Sequence, residues 1–238
     1  MQFPFQYLLV GNGRASKHWR YYLESLSIPL LFWDRSMPDS EFYERLKKAT
    51  HVLLLISDSS IRDFFDLRLS GKDKIVTHFS GALEIPGTFG AHPLMTFGPH
   101  FYELSFYQKI PFVVTSQSDF SFYLPGITNP SFRISADQKS YYHAYCVMAG
   151  NFTNVLWSQF DQALQNIGLP QGINSAYLEK ITENVIKHGA KSLTGPFVRK
   201  DMKTISANIQ ALKTKGDDFL EVYMAFARLL MPNTKDFE

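Results

Sequence analysis

The chain has 238 residues, which is enough for one large domain or two modest ones with a hydrophobic core. Its 24 lysines and arginines against 22 aspartates and glutamates give a net charge of +2 without a basic stripe, which argues against a nucleic-acid partner. The single cysteine, Cys146, cannot form an intramolecular disulfide, so we expect a reducing compartment and a cytoplasmic location. No signal peptide is recognised and no stretch approaches the roughly 20 apolar residues of a membrane span, so no membrane partner is expected.

Residues 5–26 begin with an apolar run that breaks at a glycine turn and continues as an amphipathic segment. This order predicts a strand, a tight turn and a helix N-terminus, which together can hold a diphosphate; the alternative is an ordinary strand-turn-helix that binds nothing. Gly11 can adopt backbone angles closed to other residues, and Gly13 leaves no side chain between backbone and phosphate. Ser16 replaces the third glycine of the GxGxxG pattern, where a small residue still permits close packing of helix and strand. The residues predicted to bind the cofactor here are Gly11, Asn12, Gly13, Arg14, Ala15 and Ser16.

A second apolar run, residues 28–33, predicts a strand that ends in Asp34. This residue lies about 20 positions beyond the first glycine, where a βαβ unit brings a carboxylate to the adenosine ribose. Asp34 favours NAD, because its charge accepts hydrogen bonds from ribose hydroxyls and repels a 2'-phosphate. Arg35 and Ser36 favour NADP, because a guanidinium pairs with that phosphate and a hydroxyl donates to it. The choice stays open, and a solvated surface charge is the alternative for Arg35.

The rest of the first half alternates short apolar runs with amphipathic or turn-rich pieces, which predicts a mostly parallel sheet. Helices are predicted to begin at residues 38–41 and after the turn at 58–60. Further strands or extended segments are predicted at residues 51–57, 74–81, 87–98, 111–116 and 131–135.

From residue 136 onward the pattern becomes helical. It predicts one long helix over residues 136–166, and three more over 174–190, 200–214 and 217–231. The fold class is therefore α/β plus all-α: a Rossmann-type NAD(P)-binding domain at 1–135 and an all-helical domain at 136–238.

Four stretches carry a resemblance to a known family: LLVGNGRAS (8–16), LLLISDSSI (53–61), THFSGAL with GAHPLMTFG (77–83 and 90–98), and YHAYCVMAGNF with LTGPFVRKD (142–152 and 193–201). The chain resembles an uncharacterised family of Rossmann-like NADP-binding proteins with a helical C-terminal domain of unknown function. That family is related to pyrroline-5-carboxylate reductase and to the 6-phosphogluconate and hydroxyisobutyrate dehydrogenases. The resemblance implies an oxidoreductase fold, NADP or NAD as cofactor, a homodimer formed through the C-terminal helices, and a small-molecule substrate that is not established. It leans to NADP through the Arg-Ser pair at 35–36.

Ser57 and Asp58 follow a predicted strand at the edge of the sheet where ligands bind in such folds. In the related enzymes this position lies against the nicotinamide side of the cofactor, so both residues are cofactor-binding candidates. The alternative is that Asp58 caps the helix that follows.

Histidines supply the candidates for acid catalysis. Reduction of a carbonyl or imine needs a proton donor, and the unperturbed pKa of histidine suits that task at neutral pH. His92 is the first choice, because Pro93 fixes an extended strand end or turn after it. The alternative is a hydrogen-bonded structural histidine. His78 and Ser80 are further candidates, although His78 could be buried and Ser80 could belong to a turn that lets the backbone approach the cofactor.

On the long helix, His143 and Asn151 are eight residues apart, which places them about 80° apart around the axis and about 12 Å apart along it. They can line one wall of a substrate site but cannot contact one atom. Asn151 is the better candidate by resemblance, since the related hydroxyacid dehydrogenases orient substrate with an asparagine on this helix. Those enzymes place a lysine one turn earlier as general acid, and Val147 stands there in this chain.

Arg199, in the stretch LTGPFVRKD, could bind a substrate carboxylate or a dimer mate, while a capping or salt-bridge role is the plainer account. The combined prediction is an NAD(P)-dependent oxidoreductase that transfers hydride between nicotinamide and a small carbonyl or imine, without a metal. The alternatives are a dinucleotide-binding sensor or interaction protein without turnover, and a structural dimer with a vestigial pocket.

Overall fold

The computed structural model describes residues 4–216, 218–232 and 234. The chain divides into two compact units, Met1–Trp157 and Ser158–Glu238. The division predicted from the sequence, residues 1–135 and 136–238, stays a prediction. Asp217, the predicted first residue of the last helix, lies outside the described residues. None of the described helices combines the length and the apolar character needed to cross a membrane.

A seven-stranded sheet forms the centre of the first unit. β1 lies between β2 and β3, and strands β1 to β5 are mutually parallel in the order β2-β1-β3-β4-β5. β6 then pairs antiparallel with β5, and β7 pairs parallel with β6. The strands are β1 (Tyr7–Val10), β2 (Leu30–Trp33), β3 (His51–Leu54), β4 (Ile75–His78), β5 (Phe89–Pro93), β6 (Phe112–Val114) and β7 (Ser131–Arg133). The strand order reverses direction between β1 and β3, which creates the crevice where ligands bind in doubly wound folds.

Helices cover both faces of this sheet and lead into the long helical segment. A 3-10 turn (Ala136–Gln138) precedes α6, and a π-helical turn (Met148–Phe152) separates α6 from α7. The sequence pattern predicts this segment as one uninterrupted helix, and it predicts no helix at the short elements α4 and α5. The helices are α1 (Arg14–Ser25), α2 (Asp39–Lys48), α3 (Asp58–Arg68), α4 (Leu104–Tyr107), α5 (Phe120–Tyr123), α6 (Lys139–Val147) and α7 (Thr153–Asn166).

The buried side chains of β1 contribute to the apolar cores on both faces of the sheet. All four of its residues are buried, and because side chains alternate along a strand they supply two different cores. Tyr7 and Leu9 pack in the cluster that contains the apolar side of α1, and Leu8 and Val10 pack in the cluster that contains α2. Each such side chain contributes roughly 1.5–3 kcal/mol relative to exposure. The carboxyl end of β1 is therefore held rigidly.

The second unit is helical, as the sequence predicts. Its elements are the end of α7, α8 (Ser175–His188), a 3-10 turn (Gly189–Ser192), α9 (Pro196–Arg199), α10 (Met202–Lys215) and α11 (Leu220–Leu230). Among its described residues, the buried apolar core consists of Ile205 and Ala227, with partly buried side chains packed around them. A parallel-dominated sheet followed by helices confirms the predicted fold class.

The backbone conformation of the turn after β1 requires glycine at position 11. Gly11 has φ +124°, and a Cβ there would collide with the carbonyl oxygen of Leu55. Only glycine adopts such a backbone conformation without strain. The buried hydroxyl of Ser16 donates a hydrogen bond of 2.5 Å to the carbonyl oxygen of Gly11. Close packing thus constrains Gly11, and Ser16 closes the turn.

We expect Gly11→Ala to lower the free energy of unfolding by at least about 2 kcal/mol, because both the backbone angle and the Leu55 carbonyl oppose a side chain. Gly13→Ala is the matched control, since Gly13 has φ −71° and a Cβ there meets no heavy atom within 4 Å. Its stability should stay within about 0.5 kcal/mol of the wild type. Urea unfolding of the three proteins measures both effects, and equal losses in the two variants would refute this account of the turn.

His78, the last residue of β4, is a polar group inside the core. Its side chain is 0 % exposed, and neither ring nitrogen has a hydrogen-bond partner among the described residues. Burial lowers the pKa of His78 to about 4, and the positive charge of Lys139 adds to this effect. The folded protein therefore keeps this imidazole neutral at pH 7.

A buried neutral histidine makes stability depend on pH. As the pH falls, the unfolded chain takes up a proton on His78 near its ordinary pKa of about 6.5, whereas the folded chain does so only near pH 4. The contribution of neutral His78 to the free energy of unfolding is fully present above pH 6.5. It decreases between pH 6.5 and pH 4, by roughly 3 kcal/mol in total. We expect His78→Leu to reduce the difference between unfolding free energies measured by urea at pH 7 and pH 5.

His100→Leu serves as the control, because His100 is exposed and its replacement should leave that pH difference unchanged. If His78→Leu and the wild type lose equal stability between the two pH values, His78 does not remain neutral in the folded protein.

Candidate functional site

The first part of the site is the N-terminus of α1, where the chain leaves β1. Asn12, Gly13 and Arg14 are exposed, no side chain caps the helix, and its first turn carries no acidic residue. The space beside Gly13 contains no protein atom within 4 Å of where a Cβ would lie. Unpaired backbone N–H groups and the positive end of the helix dipole favour an anion at this place. The residues present therefore fit the phosphates of a dinucleotide.

The side chains of two predicted phosphate-binding residues make contacts within the protein. The hydroxyl of Ser16 is buried and bonded to Gly11, so it closes the turn. Ala15 is half-buried and packs against the core cluster that contains α1. Asn12, Gly13 and Arg14 are therefore the exposed members of the predicted set.

The end of β2 holds the predicted ribose-binding group. Asp34 is buried, and its Oδ1 accepts hydrogen bonds from the Ser36 backbone N–H (2.8 Å) and hydroxyl (2.5 Å). These bonds hold the pKa of the Asp34 carboxyl below its usual range, with smaller contributions from a hydrogen bond of Asn12 and the charge of Arg35. Arg35 is exposed and makes no hydrogen bond or ion pair within the described part of the chain. The structure thus brings Asp34, Ser36 and Asn12 together and leaves the guanidinium of Arg35 available.

A second polar group lies at the carboxyl ends of β3 and β4. The hydroxyl of Ser80 donates to Oδ2 of Asp58 (2.6 Å) and accepts from the backbone N–H groups of Ala82 and Leu83 (3.2 and 3.1 Å). The residue at the N-cap of α3 is Ser57, and its side chain makes no capping bond. The first turn of α3 is therefore joined to the loop after β4 through Asp58 and Ser80.

His92 and His143 meet beside this loop. Nδ1 of His92 lies 2.8 Å from the Tyr142 hydroxyl, and the two histidine rings are perpendicular with centroids 5.7 Å apart. Gly81 makes the approach possible, because a Cβ there would collide with the ring of His143. Burial lowers the pKa of His92 to about 4, and the charges of His143 and Lys139 act in the same direction. His92 is therefore a neutral imidazole at pH 7.

Lys139 anchors α6 next to these residues. It is 2 % exposed, and its ammonium group donates to the Leu83 carbonyl oxygen and to Glu84 (2.8 Å to Oε1). Gly90 leaves room for this ammonium group, since a Cβ there would collide with it. The sequence reasoning missed Lys139, Glu84 and Tyr142. The available signal was helical spacing, because residues 139, 142, 143 and 146 share one face of a helix.

Two further candidates, Asn151 and Arg199, follow later in the chain. Asn151 is exposed in the π-helical turn and makes no hydrogen bond with the described residues. Arg199 is exposed at the end of α9, in the second unit. Asp201, two residues later, accepts a hydrogen bond from the Thr204 N–H and caps α10. The described residues contain no group of three or more histidines, cysteines, aspartates or glutamates that could hold a metal ion.

A cleft of about 360 Å³ lies along α1, from Ser16 to Glu24. It is bounded by Asn12 and Ser16 at the phosphate loop and by Phe32 and Phe101. The acid in its wall, Glu24, is paired with Arg20 at 2.8 Å. The titratable groups suited to proton transfer therefore belong to the cluster at the sheet edge and not to this cleft.

Solved structures with the same fold cover nearly the whole chain. A candidate NADP oxidoreductase of Bacteroides fragilis has a TM-score of 0.76 and 17% identity, over 96% of this chain and 98% of that one. A Thermotoga maritima protein has a TM-score of 0.70 and 21% identity, over 95% and 97%. An imine reductase of Aspergillus terreus, solved with NADPH4 and dibenz[c,e]azepine, has a TM-score of 0.59 and 9% identity, over 98% and 94%. At these identities the likeness shows the fold.

No curated protein matches the sequence. Residues 124–230 match a family model described as "Domain of unknown function (DUF2520)". The match begins before β7 and extends through α11, so it includes α6 with Lys139, Tyr142 and His143. A Rossmann-like fold together with a segment that matches the DUF2520 model confirms the resemblance to the uncharacterised Rossmann-like family with a helical C-terminal domain.

Proposed function

We propose that this protein is an NAD(P)-dependent oxidoreductase that acts on a small carbonyl or imine. The observation that carries the proposal is the uncapped, glycine-lined N-terminus of α1 at the sheet edge where the polar groups after β3, β4 and β5 also lie. In parallel α/β sheets, ligands bind at this carboxyl edge next to the reversal of strand order. The oxidoreductase names of several proteins with the same fold support the assignment.

Backbone amides at Gly13, Arg14 and Ala15 would hold the phosphates, and the end of β2 would hold the adenosine ribose. Ser57 and Asp58 would lie toward the nicotinamide, whose chemistry when bound is the transfer of hydride. A neutral His92 would donate a proton to the substrate oxygen or nitrogen, and Ser80 would hold Asp58 in place. His143 and Asn151 would orient the substrate. His78 is fully buried, so its role is to shape the site from within the core.

We propose a preference for NADP over NAD. The Asp34 carboxylate is engaged by the N–H and O–H of Ser36, which reduces its capacity to accept hydrogen bonds from ribose hydroxyls. The adjacent guanidinium of Arg35 is exposed and unpaired, and a guanidinium binds phosphate through two parallel hydrogen bonds. A 2'-phosphate would therefore find a charged partner at the end of β2.

Fluorescence titration with NADPH and NADH tests this function. We expect the wild type to bind both, with NADPH bound more tightly, and Gly13→Asp to bind neither because its carboxylate repels the phosphates. Arg35→Ala should weaken NADPH binding on the order of 10-fold to 100-fold and leave NADH binding unchanged. Lys48→Ala, at an exposed lysine near the end of α2, should leave both affinities unchanged.

A panel of small ketones, imines and 2-hydroxy acids then separates the two classes of function. Oxidation or reduction of the bound dinucleotide, lost in His92→Ala, supports the enzyme. Binding without turnover across the panel supports a dinucleotide-binding sensor, and failure to bind either dinucleotide contradicts both proposals. We propose Arg199 separately as a ligand for a substrate carboxylate. The cytoplasm, with its reducing conditions, is the compartment we propose.

We also propose that the protein forms a homodimer through its C-terminal helices. Large apolar side chains are exposed at intervals of three or four residues along α6, the π-helical turn and α7, and they include Tyr141, Tyr145, Met148, Phe152 and Val155. Exposed apolar surface of this kind is typical of a protein interface. The small buried core of the second unit, Ile205 and Ala227, also favours a covering partner.

Light scattering after size-exclusion chromatography should give a mass about twice 27.3 kDa for the wild type. Phe152→Glu should shift the mass toward that of one chain, because a carboxylate would have to be buried in the interface. Asn154→Glu, an exposed position off the apolar row, should keep the dimer mass. A wild type that runs as a single chain at high concentration would contradict the homodimer.

A further inference from the structure

We propose that His92 and Tyr142 form a proton relay, in which His92 gives its Nε2 proton to the substrate while Nδ1 receives the proton of the Tyr142 hydroxyl. The relay rests on the proposed oxidoreductase function and assigns Tyr142 a role as a positioning and proton-supplying residue behind His92. It takes one member from the Rossmann-like sheet and one from the DUF2520 segment.

The geometry at His92 separates the tasks of its two ring nitrogens. Nδ1 is 2.8 Å from the Tyr142 hydroxyl. Nε2 makes no hydrogen bond with the described residues, and it is not among the buried atoms that lack a partner, so it retains exposed surface. A neutral imidazole with its proton on Nε2 accepts at Nδ1 and donates at Nε2. The Tyr142 O–H is the donor that this tautomer requires.

The relay is built into rigid elements on both sides. His92 lies within β5 and pairs with Val113 of β6, and Pro93 follows it. Tyr142 is on α6, one turn after Lys139, whose buried ammonium group is bound to Glu84 and to the Leu83 carbonyl oxygen. Because residues three apart on a helix share one face, the anchored Lys139 fixes the direction of Tyr142. The hydrogen bond to His92 therefore joins two elements that are each held independently.

The surrounding charges keep the relay neutral. The titratable groups that face His92 are Tyr142, His143 and Lys139 from α6 and Asp58 from α3. Burial, followed by the contributions of His143 and Lys139, lowers the pKa of His92 to about 4, against the opposing charge of Asp58. An imidazolium is thus unavailable as the acid at neutral pH, and a neutral ring must pass a proton through.

The proton balance closes with water as the final source. When the carbonyl carbon accepts the hydride that the proposed dinucleotide would supply, its oxygen takes the Nε2 proton, Nδ1 takes the Tyr142 proton, and Tyr142 becomes a phenolate. Burial raises the pKa of Tyr142, and the neighbouring Cys146 acts in the same direction, so the hydroxyl keeps its proton until a strongly basic alkoxide forms. After product leaves, Nδ1 returns its proton to the phenolate and Nε2 takes one from water, which leaves as hydroxide to the solvent. Both side chains then have their starting protonation.

Nuclear magnetic resonance of the ¹⁵N-labelled full chain, without dinucleotide, tests the tautomer directly. We expect His92 to carry its proton on Nε2 and to stay neutral from pH 7 to about pH 5. In Tyr142→Phe the Nδ1 resonance should move, because that nitrogen loses its hydrogen-bond donor. Tyr141→Phe is the control, since Tyr141 is exposed and bonded to Tyr145, and the His92 resonances should stay unchanged. His92→Gln assigns the signals.

Acylation with diethyl pyrocarbonate, located by peptide mass spectrometry, tests whether Nε2 is reachable. His92 should react at the same intrinsic rate at about pH 7.5 and about pH 6, while a histidine of ordinary pKa slows roughly fourfold over this range. His78, fully buried, should stay unmodified in the same sample. A wild type with the proton on Nδ1, titration of His92 near pH 6.5, or an unreactive His92 would each overturn the relay. Since no dinucleotide is added, these outcomes are independent of whether NADPH binds.

Discussion

The buried ammonium group of Lys139 is the contact on which the candidate site depends. Removing an ammonium group from water costs several kcal/mol, and the cost is offset only where hydrogen bonds and an opposite charge are in place. Here the Leu83 carbonyl oxygen and Glu84 supply them, and Gly90 supplies the space. The ammonium group therefore specifies where α6 docks, and α6 carries the residues that complete the site.

The same charge sets the protonation of its neighbours. His78 is buried and His92 is half-buried near Lys139, and in both the charge of the lysine lowers the pKa in the same direction as burial. Two histidines at the carboxyl edge are thus neutral at pH 7, although histidine in water titrates close to that pH. A site with neutral imidazoles suits the handling of protons by transfer along hydrogen bonds. The groups suited to binding an anion are elsewhere on this edge of the sheet, at the N-terminus of α1.

Sequence reasoning located the features that follow from backbone periodicity. Glycine spacing after β1, the residues after β2 and β3, and the histidines near β4 and β5 all lie at the predicted edge of the sheet, because strand ends are visible in the apolar pattern. Lys139 was not predictable in this way. Lysine is normally exposed, and its partner Glu84 is 55 residues away in the chain. The glycine pattern predicts a small side chain at Ser16. It does not predict the hydrogen bond of that hydroxyl to Gly11, because this bond depends on the conformation of the turn.

The position of Asn151 shows why uniform α-helical geometry does not predict the relative directions of the side chains along this segment. With uniform α-helical geometry, Asn151 lies about 80° around the axis from His143. In the structure, Asn151 itself lies in a π-helical turn, Met148–Phe152, which follows the helix α6 that carries His143. Bonds from i to i+5 take more residues per turn, so each residue advances by a smaller angle and the 80° separation of a uniform α-helix no longer applies. Such turns replace regular hydrogen bonds and persist where side-chain placement favours them. A pattern search at 3.6 residues per turn therefore misplaces the residues of the π-helical turn relative to those of α6.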